Sequence, residues 1–199
     1  EKDLIAAEID VIKAMGVEIK CGVEVGKDVT IEQLRKQGYK GFYIAIGCQG
    51  GRKAGVPGED AQGVYTAVEF LREAGTKESF ELGGDVIVIG GGNVAIDAAR
   101  TSSRCTQGKV TMVCLENKDE MPASREEILE ASEENITIQN GWGPKEILVE
   151  NGKAAGVVFK KCTRVYDDSH RFAPVYDEEQ TMTLRCGSVI FSVGQSIVW

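Results

Sequence analysis

Val86-Ile87-Val88-Ile89-Gly90-Gly91-Gly92-Asn93-Val94-Ala95-Ile96-Asp97-Ala98-Ala99-Arg100 decides the fold, because it reads as a strand, a tight turn and a helix in immediate succession. Four β-branched residues in a row make a short apolar run, typical of a strand covered on both faces in a parallel sheet. Gly90, Gly92 and Ala95 then spell G-x-G-x-x-A. In that pattern the first glycine makes the sharp turn and the second lets the backbone approach a pyrophosphate. The small third residue lets the helix pack tightly on the strand. The helix that opens here points free N–H groups and the positive end of its dipole at the same spot, which favours an anion without any basic side chain. No Gly-Lys-Ser/Thr follows the glycines, so the phosphate-loop kinase reading fails.

A glycine fingerprint alone is weak, and its flanks have to support it. Val94, Ala95, Ile96, Ala98 and Ala99 give the helix a face of small residues. After Gly108 a second strand, Val110-Thr111-Met112-Val113-Cys114-Leu115, ends in Glu116. That completes a βαβ unit, closed by a carboxylate where an adenine ribose 2′-OH would sit. The interval from Gly90 to Glu116 is somewhat longer than the roughly 20 residues of the usual pattern.

Bulk properties limit the alternatives. The chain has 199 residues, 42% hydrophobic and 27% charged, which is ordinary for a globular protein with one or two domains and a real core. A formal net charge of −8 opposes nucleic acid or an anionic membrane as partner, since both need a basic face to displace counterions. No run approaches the roughly 18 apolar residues of a membrane span, and no signal pattern opens the chain, so the cytoplasm is the expected compartment. Six cysteines, at 21, 48, 105, 114, 162 and 186, show no C-x-x-C spacing and read as separate thiols. The one histidine, His170, lies in a polar turn-like stretch, so neither a metal site nor a histidine base is expected.

Working outward, Lys2 to Met15 places Leu4, Ile5, Ile9, Ile12 and Met15 on one helical face, with Gly16 as the stop. Val17 to Val25 alternates like a half-buried strand, and Thr30 with Gln33 suits a capping box for a helix over 31–37. Gly41-Phe42-Tyr43-Ile44-Ala45-Ile46-Gly47 reads as a second buried strand, followed by an irregular crossing through Pro57-Gly58. A helix is expected around Thr66 to Glu73. Beyond Glu116, Ser124 suits the N-cap of an acidic helix from Arg125 to Glu134. Strands then follow at 136–138, 145–150, 154–165 and 180–185, with a hairpin at Asn151-Gly152 and a polar loop at 166–178. Ser188 to Gly194 is the last strand. The expected fold is α/β: a Rossmann-like parallel sheet with helices on both faces and an inserted antiparallel β-meander.

This combination resembles the pyridine-nucleotide-binding half of flavin-linked oxidoreductases of the pyridine nucleotide-disulfide class, above all the small subunit of glutamate synthase and its relatives. Three stretches carry the likeness: Ala45-Ile46-Gly47 with Gly55-Val56-Pro57-Gly58-Glu59-Asp60, the run Gly90 to Thr101, and Met121-Pro122-Ala123-Ser124-Arg125. The resemblance implies a nicotinamide domain inserted into a split flavin domain, with crossings near Gly47 and Gly194. On that basis 1–48 is a flank of the flavin domain, 49–193 the NAD(P)-binding domain and 194–199 the return crossing. The chain would be a fragment of a flavoprotein with two dinucleotide-binding domains.

The implied site has no catalytic side chain. Gly90, Gly91, Gly92, Asn93, Val94 and Ala95 would hold the pyrophosphate and Glu116 the adenine ribose, with Gly47 and Gly194 on the nicotinamide side. Glutamate synthase relatives that use NADPH carry arginines at the end of the second strand, where this chain has Leu115-Glu116. A carboxylate there would accept from a free 2′-OH and repel a phosphate, so NAD(H) is expected over NADP(H). Lys118 and Arg125 keep NADP(H) open. FAD would be held by the parent protein, with the remaining flavin domain and iron–sulphur or catalytic subunits as partners. The alternative is a non-catalytic dinucleotide-binding or subunit-docking module.

Overall fold

The computed structural model describes Lys2–Trp199, which divide between Ala45 and Ile46 into two compact units. The first contains helix α1 (Lys2–Ala14) and helix α2 (Ile31–Lys36). Gly16 ends α1 region with φ +90°, and Thr30 caps α2 in the expected capping box: its hydroxyl accepts from Gln33 N at 3.1 Å while the Gln33 side chain accepts from Thr30 N at 2.8 Å. Neither helix buries a residue, so the apolar face of α1 is exposed rather than core. The expected strands at 17–25 and 41–47 do not form, apart from an isolated bridge between Val25 and Val29. A strand exists only in a ladder, and neither run finds one among the described residues. Tyr43 and Ile44 are accordingly 94% and 69% exposed.

The second unit is built on five parallel strands in the order β2-β9-β3-β4-β5: β2 (Val64–Thr66), β3 (Val86–Ile89), β4 (Val110–Cys114), β5 (Thr137–Asn140) and β9 (Ser188–Phe191). Side chains alternate between the two faces of this sheet. Val86, Val88, Met112 and Ile190 point to one side, where helices α3 (Ala67–Thr76), α4 (Asn93–Cys105) and α5 (Arg125–Glu133) contribute Phe70, Ile96 and Ala131 to the core. Ile87, Ile89, Val113, Val189 and Phe191 point to the other.

That second face is where the architecture departs from the expected helical layer. It is covered by the antiparallel meander, β6 (Trp142–Glu150), β7 (Lys153–Tyr166) and β8 (Phe172–Arg185), through Ile147, Val157 and Phe159. A sheet with one apolar stripe buries it as well as a helix does, so the parallel sheet remains covered on both sides. The hairpin at Asn151-Gly152 is formed with φ +51° and +77°, as a two-residue turn of the primed type requires. The loop between β7 and β8 is shorter than expected, because pairing resumes at Phe172 opposite Tyr166.

Two short strands complete the unit: β1 (Gly50–Gly51) lies antiparallel to β10 (Gln195–Ser196), and Arg52 N donates to Gly194 O at 3.1 Å. Only glycine fits at 51, where a Cβ would collide with the Thr66 side chain.

Candidate functional site

At the carboxyl ends of β9, β3 and β4 a cleft of about 910 Å³ opens between the glycine loop and the overhanging meander. This is the place where open α/β sheets receive ligands. The glycines of the loop have distinct roles. Gly90 has φ +147°, and a Cβ there would run into Ser192 O, so the turn after β3 admits no side chain. Gly91 packs the loop onto β4: a Cβ would stand 2.8 Å from Glu116 Oε2 and 3.0 Å from Cys114 Cβ. Gly92 has nothing within 4 Å of that position, and the space beside it belongs to the cleft. Ala95 is fully buried where α4 meets the sheet.

Gly92 is the N-cap of α4 and makes no side-chain cap bond, so the first-turn N–H groups of the helix are not taken by a capping side chain. The loop is held from behind by the Met121–Ser124 segment. Ala123 N donates to Gly91 O at 3.0 Å, and Ser124 N donates to Asn93 Oδ1 at 2.9 Å. Asn93 therefore ties the opening of α4 to the N-cap of α5, which Ser124 provides by accepting from Glu127 N. Below, Arg100 pairs with Glu130 and Glu134, and Arg104 with Glu134 at 2.8 Å, fixing α4 against α5.

The end of β4 is clamped to the junction of β5 and β6, because Glu116 O accepts from Gly141 N and from Asn140 Nδ2, both at 3.1 Å. Glu116 itself is 8% exposed, and burial raises its carboxyl above the ordinary value of 4.5. Burial, reinforced by the neighbouring Glu116, pushes the Cys114 thiol up to about 12, so it is an inert packing group.

Gly90, Gly91, Gly92, Asn93, Val94, Glu116 and Gly194 line this cleft, with Ala95 beneath it. Arg125, exposed in the first turn of α5, and Gly47 do not line it. Sequence reasoning missed the cleft's roof, which comes from Trp142, Pro144, Lys160, Phe172 and Tyr176 of the meander, and also Arg52 and Lys53 at its other end. Met121–Arg125 stood out only by resemblance, and its task as a clamp on the glycine loop depends on backbone geometry.

The model of the family described as pyridine nucleotide-disulphide oxidoreductase matches residues 3–197. The chain belongs to this family. It is 35% identical over 98% of its length to the NADP(+)-dependent formate dehydrogenase subunit beta of Moorella thermoacetica, covering 28% of that protein. It is also 35% identical, over 79% of its length, to the glutamate synthase [NADPH] small chain of Escherichia coli K12, covering 36% of it. This family member thus spans roughly a third of the length of those relatives. Its fold is shared with Mycobacterium tuberculosis FprA in complex with NADPH, with a TM-score of 0.72 at 20% identity over 87% of this chain and 54% of FprA.

The two sequence relatives overturn the expected preference for NAD(H) over NADP(H), since both are named for NADP(+) or NADPH. The structure supplies the physical reason. Glu116 is buried, its carboxylate turned against Gly91 and its pKa raised by that burial, so it does not stand as a freely exposed charge at the end of β4. Among the described residues, no helix is long and apolar enough to cross a membrane.

Proposed function

We propose that the chain is the pyridine-nucleotide-binding part of a flavoprotein oxidoreductase and takes NADP(H) at the cleft over Gly90–Asn93. The observation that carries this reading is the open space at Gly92 in front of the uncapped start of α4, a cradle that any side chain would fill. Backbone N–H groups and the helix dipole there match a diphosphate bridge. Glu116, at the end of β4, marks the side of the adenine ribose, and Gly194 with Arg52 marks the nicotinamide side. When bound, a reduced nicotinamide supplies a hydride that a flavin can accept. The work of this chain is to bind, orient and shield: the meander roofs the cleft, and the Ala123–Ser124 clamp keeps the loop in one geometry.

In this reading 1–48 and 194–199 belong to a split flavin domain that holds FAD, and the passages near Gly47 and Gly194 join it to the domain at 49–193. The exposed apolar face of α1 and the unpaired runs at 17–25 and 41–47 are what such a split would leave on this chain. Iron–sulphur or catalytic subunits would carry the electrons onward, and the six unpaired cysteines accord with the cytoplasm.

Titration of the chain with NADPH, followed by nicotinamide fluorescence, tests the site, and the absence of saturable binding would overturn it. Dye reduction by the full-length protein tests the role. NADPH-dependent reduction is expected there and not from the chain alone.

A further inference from the structure

The end of β4 offers Leu115-Glu116 to the adenosine half of the ligand and no cation, so the charge of a 2′-phosphate has to be met from elsewhere in the cleft. Three basic residues line the cleft: Arg52, Lys53 and Lys160. Arg52 lies beside Gly194, and Lys53 Nζ is committed to Asp60 Oδ1 and Glu59 O, each at 2.9 Å. Lys160 is on the β4 side. Its Nζ stands 4.2 Å from the centroid of the Tyr176 ring, and Tyr176 and Leu115 converge on Gly143, 2.6 and 2.8 Å from where a Cβ would be.

The meander is shaped to aim this lysine. Lys160 pairs with Thr181 but Lys161 pairs with Asp177, so residues 178–180 bulge out of β8. The bulge brings Glu178 to Lys160 at 2.7 Å and to Lys145 at 3.7 Å. One carboxylate thus serves two lysines and leaves a net positive charge at the rim of an otherwise acidic chain.

We propose that Lys160 exchanges Glu178 for the adenosine 2′-phosphate of NADP(H) and so supplies the recognition that the end of β4 lacks. A phosphate near pH 7 carries more charge and more acceptor oxygens than a carboxylate, so it wins the competition for the ammonium group. Lys145 retains Glu178 when Lys160 turns to the ligand. This assignment rests on the nucleotide site proposed above.

The experiment is calorimetric titration of the full chain with 2′,5′-ADP, NADPH and NADH. Lys160→Met keeps the stem that packs on Tyr176, and it is expected to weaken 2′,5′-ADP and NADPH about tenfold or more while leaving NADH within about twofold. Lys160→Arg is expected to restore NADPH binding, and Glu178→Gln to tighten it. Equal losses for NADPH and NADH, or no loss for either, overturn the assignment and leave the nucleotide site standing. If the unmutated chain binds none of the three, the site falls and the assignment with it. Should Lys160→Met fail to fold, Glu178→Gln decides alone, and an unchanged NADPH affinity overturns the proposal.

Discussion

Replacing Gly92 with valine separates folding from binding at this site. Gly92 has φ −93° and ψ 176°, ordinary extended backbone, and nothing lies within 4 Å of an added Cβ. The substitution therefore introduces neither strain nor collision. Valine is a poorer N-cap than glycine, but it restricts the unfolded chain, and these opposed effects leave stability within about 1 kcal/mol of the parent. Binding is another matter, because the isopropyl group occupies the space a diphosphate needs against the start of α4. Losing two hydrogen bonds to a charged group, at about 1.5–3 kcal/mol each, amounts to roughly 3–6 kcal/mol, or about 10²–10⁴ in affinity. Thermal melting reads both effects. NADPH at 100 times the parent's dissociation constant stabilises the parent by about 2.7 kcal/mol and the variant by about 0.4 kcal/mol or less. A variant with the parent's melting temperature and the parent's response to NADPH would refute the placement of the diphosphate.

Gly90→Ala should fail in the opposite way, losing about 2 kcal/mol or more of stability because its Cβ would meet Ser192 O at φ +147°; denaturant unfolding measures it. Asn93→Ala leaves Ser124 N without its acceptor, so a loss of about 1 kcal/mol is expected in the same assay, with weaker NADPH binding as the loop loosens. Glu116 has a raised folded pKa, so its ionised form costs stability once pH rises above the unfolded value near 4.5, and the cost vanishes below it. Glu116→Gln is therefore expected to raise the melting temperature at pH 7 but not at pH 4. Glu69 behaves in the reverse sense: the Thr66 hydroxyl and backbone N–H hold its carboxyl low, so the stability it gives to the start of α3 is present above pH 4.5 and lost as pH falls through its lowered pKa. Glu69→Gln should flatten that acid limb.

What could be read in advance followed from local rules. Val86–Ile89 and Gly90–Ala95 announce themselves because turn geometry, the small-residue requirement and helix polarity all act within fifteen consecutive positions. The Thr30–Gln33 box and the Asn151-Gly152 turn are equally local. The runs at 17–25 and 41–47 have the alternation and apolar content of strands, but those properties name a face and not a partner. Val64–Thr66 is the converse case, a strand too short to carry a pattern, assigned only by its parallel pairing with β9. The roof of the cleft was invisible for the same reason. Trp142, Lys160 and Tyr176 come from three different strands, and they meet at the cleft only through the pairing and register shifts of the meander. Gly91 occupies a variable place in the fingerprint, and its need to be glycine comes from Glu116 and Cys114, far away in sequence.

The pairing of Gly50–Gly51 with Gln195–Ser196 puts the way in and the way out side by side, at the spacing of neighbouring strands, about 4.8 Å. The block between them can be treated as a cassette. A recipient loop would have to be opened by no more than one strand's width to accept it, and neither splice point would be stretched. Grafting and transplantation of this body should therefore be attempted at that ribbon, and not at the ends of the helices.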